Sequence, residues 1–96
     1  MKIILKYQLH PGVLNRHFTQ EMPAGSKVLS IHYQETTQSI CMWVLSEYNE
    51  FGVVPSVMKR FFCLGTGIET NVDFSTYNFI GTVVNHFVYH FFEEKE

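Results

Sequence analysis

His86 and His90 stand four residues apart, a spacing that on a helix would set two imidazoles on one face and let them share a metal ion. Their neighbours Phe87, Val88, Tyr89, Phe91 and Phe92 are strand formers instead. On a strand the same step separates the two rings by about 13 Å, since each residue advances the chain by ~3.3 Å. His10, His17 and His32 fall near loop or strand ends without a carboxylate at ligand spacing, so no metal site is expected. Covalent catalysis finds no better footing. There is no Gly-x-Ser-x-Gly, and Cys41 and Cys63 lie inside apolar runs with no cationic cluster to favour a thiolate. Both read as unpaired, buried, small apolar residues of two different strands. The nine carboxylates lie mostly in loops or in the tail Glu93-Glu94-Lys95-Glu96, and no two of them form an acid–base pair. The expectation is a chain without catalytic residues or cofactor, and not an enzyme.

The chemistry left open is anion binding. Gly65-Thr66-Gly67 could cradle a phosphate with its backbone amides, and Lys59 and Arg60 precede it on the same stretch. The lysine of a phosphate-binding loop is missing and no helix follows, so a tight turn or bulge after a strand is the plainer reading. Half of an anion or nucleotide pocket remains the functional one. With Arg16 as a further cation, the candidate ligand-binding residues are Arg16, Lys59, Arg60, Gly65, Thr66 and Gly67.

The elements that must position them are strands. Residues 2 to 9 alternate, Ile3, Leu5, Tyr7 and Leu9 against Lys2, Ile4, Lys6 and Gln8, which is the period of a half-buried strand. His10-Pro11-Gly12 turns the chain, a short strand runs from about Arg16 to Met22, and Pro23-Ala24-Gly25 ends it; these two strands are expected to pair as a hairpin. Lys27 to Gln34 alternates again. Glu35 to Gln38 is a turn, and Ser39 to Leu45 is apolar on both faces, hence a central strand paired with the one before it. Tyr48 to Ser56 is a loop whose Phe51, Val53 and Val54 either fold back over the core or form a contact patch. Val57 to Leu64 is a buried strand running into the glycine turn, and 68–76 is a loop or a short turn. Tyr77 to Val84 and Phe87 to Phe92 are the last strands, joined by a two-residue turn at Asn85-His86. No apolar run has a helical period and no linker interrupts the chain. Residues 1–96 therefore form one all-β domain, a small antiparallel β-sandwich or barrel of six or seven strands.

Composition sets the partners. A net charge of -2 argues against direct nucleic-acid binding, which wants a basic face. The apolar runs are well short of the ~20 residues of a membrane helix. Three apolar residues between Lys2 and Lys6 are too few for a signal peptide, so a cytoplasmic location is expected. The acidic tail reads as a wetted end. Aromatic residues are in excess at 16%, and Phe61, Phe62, Tyr77, Phe79, Phe87, Tyr89, Phe91 and Phe92 crowd three strands on both faces. One sandwich interior cannot take both faces. The second cover is another layer, the 51–54 loop or a copy of the chain, and a homo-oligomer is expected.

The opening Met1 to Leu9 resembles the Lys-x-Ile-x-Lys-Tyr-x-Leu start of a family of small uncharacterised proteins from tailed phages and prophages. So do Met22 to Ser30, the strand of Cys41 and Trp43, Phe61 to Gly67 and Phe79 to Thr82, and Val88 to Glu93 is similar to that family's Val-Phe-His-x-Phe-Glu ending. The likeness spans nearly the whole chain and departs at Arg16-His17 and across Tyr48 to Ser56. It implies a non-enzymatic phage accessory protein of the host cytoplasm that antagonises bacterial immunity, by holding a nucleotide second messenger in a pocket of an oligomer. The alternatives are an anti-CRISPR-like inhibitor gripping a host defence protein, or a minor virion protein.

Overall fold

A computed structural model describes residues 1–49 and 54–96. The described residues form seven strands: β1 (Lys2–Gln8), β2 (His17–Pro23), β3 (Lys27–Gln34), β4 (Ser39–Glu47), β5 (Ser56–Gly65), β6 (Tyr77–Val84) and β7 (Val88–Glu94). One antiparallel sheet has the order β1-β4-β3 and the other β2-β5-β7-β6. The two stack as a sandwich, not a closed barrel, and the molecule measures 18 Å along its shortest axis, the thickness of two sheets. The expected position of Phe51 and Val53 lies outside the described residues.

The core follows from alternation. Leu9, Ile31, Met42 and Val44 project from the three-stranded sheet onto Met22, Phe61, Cys63, Val83 and Phe91 of the other. Phe18 stacks on Phe61 at 5.3 Å between ring centres and meets Phe91 edge-on at 6.3 Å. Burying each of these rings stabilises the fold by roughly 2–3 kcal/mol. Gly81 is core-facing on β6 because a Cβ there would come within 3.0 Å of Ile31 Cγ2 of the facing sheet. β4 is flanked by strands on either side, as its doubly apolar pattern predicts, and so is the buried strand β5. The β3–β4 hairpin also forms as expected, with a bulge at Leu29.

The expected β1–β2 hairpin does not form: β1 pairs with β4, and β2 crosses to the other sheet beside β5. The connection is what carries the chain over. A 3-10 turn at Pro11–Val13 leads to Asn15, held in the left-handed region at φ 57. The Asn15 Oδ1 accepts the Gly65 amide at 2.6 Å, and Arg16 O accepts the Cys63 amide at 3.0 Å, docking β2 along β5. Side-chain bonding of this kind is why Asn tolerates such a backbone. Asn15→Ala should lose about 1–2 kcal/mol of stability in a denaturant titration, from the strained φ and the unpaired Gly65 amide together. A loss below the error of the measurement would mean that the crossover is held some other way.

Two smaller expectations are corrected. The β6–β7 connection has three residues, Asn85, His86 and Phe87, with the Asn85 amide donating to Phe87 O at 2.9 Å, and Asn85 does not enter the left-handed region. Glu93 and Glu94 are not a loose tail but the end of β7, paired across to Phe61 on one side and to Asn78 and Tyr77 on the other. Lys59 and Arg60 of β5 lie 3.2 Å and 3.9 Å from the Glu93 and Glu94 carboxylates.

Candidate functional site

Alternation along β5 sends Lys59, Phe61 and Cys63 inward and Arg60, Phe62 and Leu64 outward. The six residues singled out from the sequence are therefore not gathered into one pocket. Arg60 and Gly65 are five residues apart on one strand, about 17 Å at ~3.3 Å per residue.

Lys59 sits at the rim of the interior, its side chain only 10% exposed. Its ammonium donates to Ser26 O at 2.6 Å and lies 3.2 Å from both Glu93 and Glu96. Its three donors thus have three acceptors, and it ties the start of β3 to the end of β7. The glycine turn is equally committed. Gly65 donates to Asn15, Thr66 to Val88 O at 3.0 Å, and Ile68 to Gly65 O at 3.3 Å, while Gly67 takes φ +85. The Thr66 hydroxyl meets His90 Nε2 at 2.8 Å, and Thr82 meets His90 Nδ1 at 2.9 Å. His90 is thereby a hydrogen-bonded histidine that pins the turn to the sheet. Arg16 is exposed at the entry to β2, where its backbone serves the crossover. Cys63 is fully buried, and burial pushes its thiol up, away from the thiolate; both cysteines are free. Among the described residues no three of His, Cys, Asp and Glu form a metal-ligand set, and no helix is long and apolar enough to cross a membrane.

What the register does assemble is on the outer face of the four-stranded sheet. Phe62 lies beneath a roof of rings: His17 at 4.5 Å between centres, Tyr77 at 6.2 Å, Phe74 at 6.3 Å and Phe92 at 6.5 Å. Phe74 comes from the 3-10 turn Phe74–Thr76 and packs on Phe92 at 4.9 Å. Asp73 caps that turn by accepting from the Ser75 amide at 3.0 Å and hydroxyl at 2.6 Å, and these donors hold its carboxyl below the usual range. The segment before β6 is thus part of the cover that the doubly apolar strands require.

Beside this floor runs a groove of about 570 Å³ lined by His17, Phe18, Thr19, Arg60, Tyr77 and Glu94. The Tyr77 hydroxyl and His17 Nδ1 share a hydrogen bond of 3.1 Å that spans β5 and β7. Burial raises the Tyr77 phenol above its ordinary range, the Glu94 charge adds to this and Arg60 opposes it, so the hydroxyl remains a donor. Arg60 is 73% exposed and its Nε lies 3.9 Å from Glu94, a long surface pair that holds the guanidinium weakly. The groove offers an exposed cation, a carboxylate acceptor and two ring faces within one wall.

Of these residues only Arg60 was singled out from the sequence. His17, Tyr77 and Glu94 come from three other strands, and only the β2–β5–β7–β6 order brings them together. A partial signal existed: Glu94 follows Phe92 by two residues, so both share a face, but a charged chain end reads as solvated.

No curated protein and no solved structure matches the chain. Residues 1–96 match the family described as Domain of unknown function (DUF7352), and with its whole length covered the chain belongs to that family.

Proposed function

We propose that the chain is a non-enzymatic binding protein whose ligand is a nucleotide, held on the outer face of the four-stranded sheet. The observation that carries this is the groove that unites Arg60, Glu94, Tyr77 and His17 beside the Phe62–Phe74–Phe92 floor. A guanidinium matches a phosphate, a carboxylate accepts from a base amine or a ribose hydroxyl, and ring faces stack a base. The resemblance to small phage proteins supports a signalling nucleotide of bacterial immunity as the biological ligand, sequestered and not turned over. This reading shifts the site from the glycine turn, whose Gly65 and Thr66 amides are bonded within the fold, to Arg60 alone among the candidates named above.

The experiment is a thermal-shift and calorimetric screen with linear and cyclic mono- and dinucleotides. At least one should raise the melting temperature, by roughly 10–20 °C once its concentration is about 100 Kd. Arg60→Gln should cost that ligand roughly tenfold to a hundredfold in affinity, the value of a charge-assisted hydrogen bond, and leave the unliganded melting temperature almost unchanged. A screen without any shift sinks the reading. So does binding that Arg60→Gln leaves intact.

A second reading, contact with a host defence protein, is favoured by a separate observation: Phe79, Val84 and Phe87 stand 61%, 67% and 68% exposed along β6 and its turn. Exposed apolar side chains grouped along one edge are the kind of surface that a protein partner would cover.

A further inference from the structure

A sheet edge with free amides is a template for another strand, and natural edges are therefore sheltered, broken or proline-capped. The four edges here differ. β3 and β6 lie against one another across the sandwich, and each carries a bulge, at Leu29 and at Ile80. β2 is closed at one end by a proline. Its Arg16 carbonyl bonds to β5, so by alternation His17, Thr19, Glu21 and residue 23 turn their amide positions outward, and residue 23 is Pro23, which has no N–H.

Among the described residues β1 has none of these devices. Its ladder with β4 is regular from Lys2↔Glu47 to Gln8↔Cys41. Leu9 donates to Ile40 O at 2.8 Å and Met1 O accepts from Tyr48 at 2.6 Å, so the odd-numbered residues bond to β4. The even ones, Lys2, Ile4, Lys6 and Gln8, aim their amides at the open side. Ile3 and Ile4 are 40% and 59% exposed there.

We infer that β1 pairs antiparallel with β1 of a second copy, joining two three-stranded sheets into one of six strands across a two-fold axis. The strand is complementary to itself in one register. Only even-numbered residues can bond outward, so even must face even. An axis at Ile4 would set Lys2 opposite Lys6 of the second copy, a like-charge pair. An axis at Leu5 pairs the whole strand, Lys2 with Gln8, Ile3 with Tyr7 and Ile4 with Lys6, and opposes no two charges of one sign. The two lysines then select the register instead of blocking the edge. The interface is isologous, as a two-fold contact must be, and it lies in the other sheet from the nucleotide groove, so the two proposals stand or fall separately.

Sedimentation of the full chain at tens of micromolar tests it. The wild type should give a mass near twice 11.2 kDa. Ile4→Pro removes an outward amide that β4 does not use, and should give a monomer with an unchanged far-ultraviolet spectrum. Ile4→Lys, at a position exposed enough not to disturb folding, sets a second ammonium opposite Lys6 of the second copy on both sides of the axis and should weaken association roughly tenfold or more. Ile4→Glu at the same site faces the same lysine and should keep or strengthen the dimer. A wild-type monomer overturns the inference, as does an assembly that survives Ile4→Pro. Ile4→Glu weakening association as much as Ile4→Lys overturns the register.

Discussion

Phe91→Ala should cost about 3–5 kcal/mol and lower the melting temperature by roughly 15–30 °C, the largest effect of any single substitution considered. Phe91 is 0% exposed and lies at the middle of the larger sheet, opposite Cys63 on β5 and Gly81 on β6. Its ring closes the edge-on contact with Phe18, which is itself stacked on Phe61. Removing it leaves a cavity that strands on both sides hold open, since β5 and β6 are pinned by their own ladders. A domain of this size has only about 5–10 kcal/mol in total, so the variant sits near the limit of folding. The contrast is Phe79→Ala. Phe79 touches Phe92 at 5.6 Å but is 61% exposed, and its loss should cost about 1 kcal/mol or less. Comparable losses for the two would mean that the interior is not organised around Phe91.

The second large effect concerns Lys59. Lys59→Met keeps most of the stem that packs at the rim but removes the ammonium, leaving Ser26 O and Glu93 without their donor. Because the group is mostly sheltered, the loss should be about 2 kcal/mol, larger than any exposed pair on this surface provides. Glu96→Gln should change stability little, because the Glu96 side chain is 84% exposed. A double-mutant cycle of Lys59→Met with Glu93→Gln isolates the pair, and a coupling indistinguishable from zero would show that Glu93 is solvated in solution.

How far the sequence revealed this molecule depends on the range of the interaction concerned. Period-2 alternation around Ile31 and the short apolar runs around Met42 and Phe61 are local properties, and they marked the strands, the central β4, the buried β5 and the β3–β4 hairpin. Pairing between distant strands has no local signature. Nothing in His10 to Arg16 announces that β2 changes sheets, because the decision lies in the Asn15–Gly65 bond, whose partners are fifty residues apart. The groove was illegible for the same reason: His17, Arg60, Tyr77 and Glu94 are polar residues on four strands, each unremarkable alone. Lys59 and Arg60 show the remaining limit. As neighbours in a strand they look like one basic patch, whereas the pleat sends one to a buried tie and the other to an open wall.

The crossing of β2 has a consequence for synthesis. β1 is made first, yet its partner β4 follows some forty residues later, and β2 waits as long for β5. At about 5–20 residues per second this is a delay of several seconds in which two half-apolar strands have no mate. Neither sheet can be completed from a contiguous piece of chain, since the smaller takes strands 1, 3 and 4 and the larger takes 2, 5, 6 and 7. Folding should therefore be a single slow event, limited by long-range loop closure, in which both layers condense together. No fragment that ends before β5 should hold a stable structure, and the nascent chain's need for shelter falls on its first two strands.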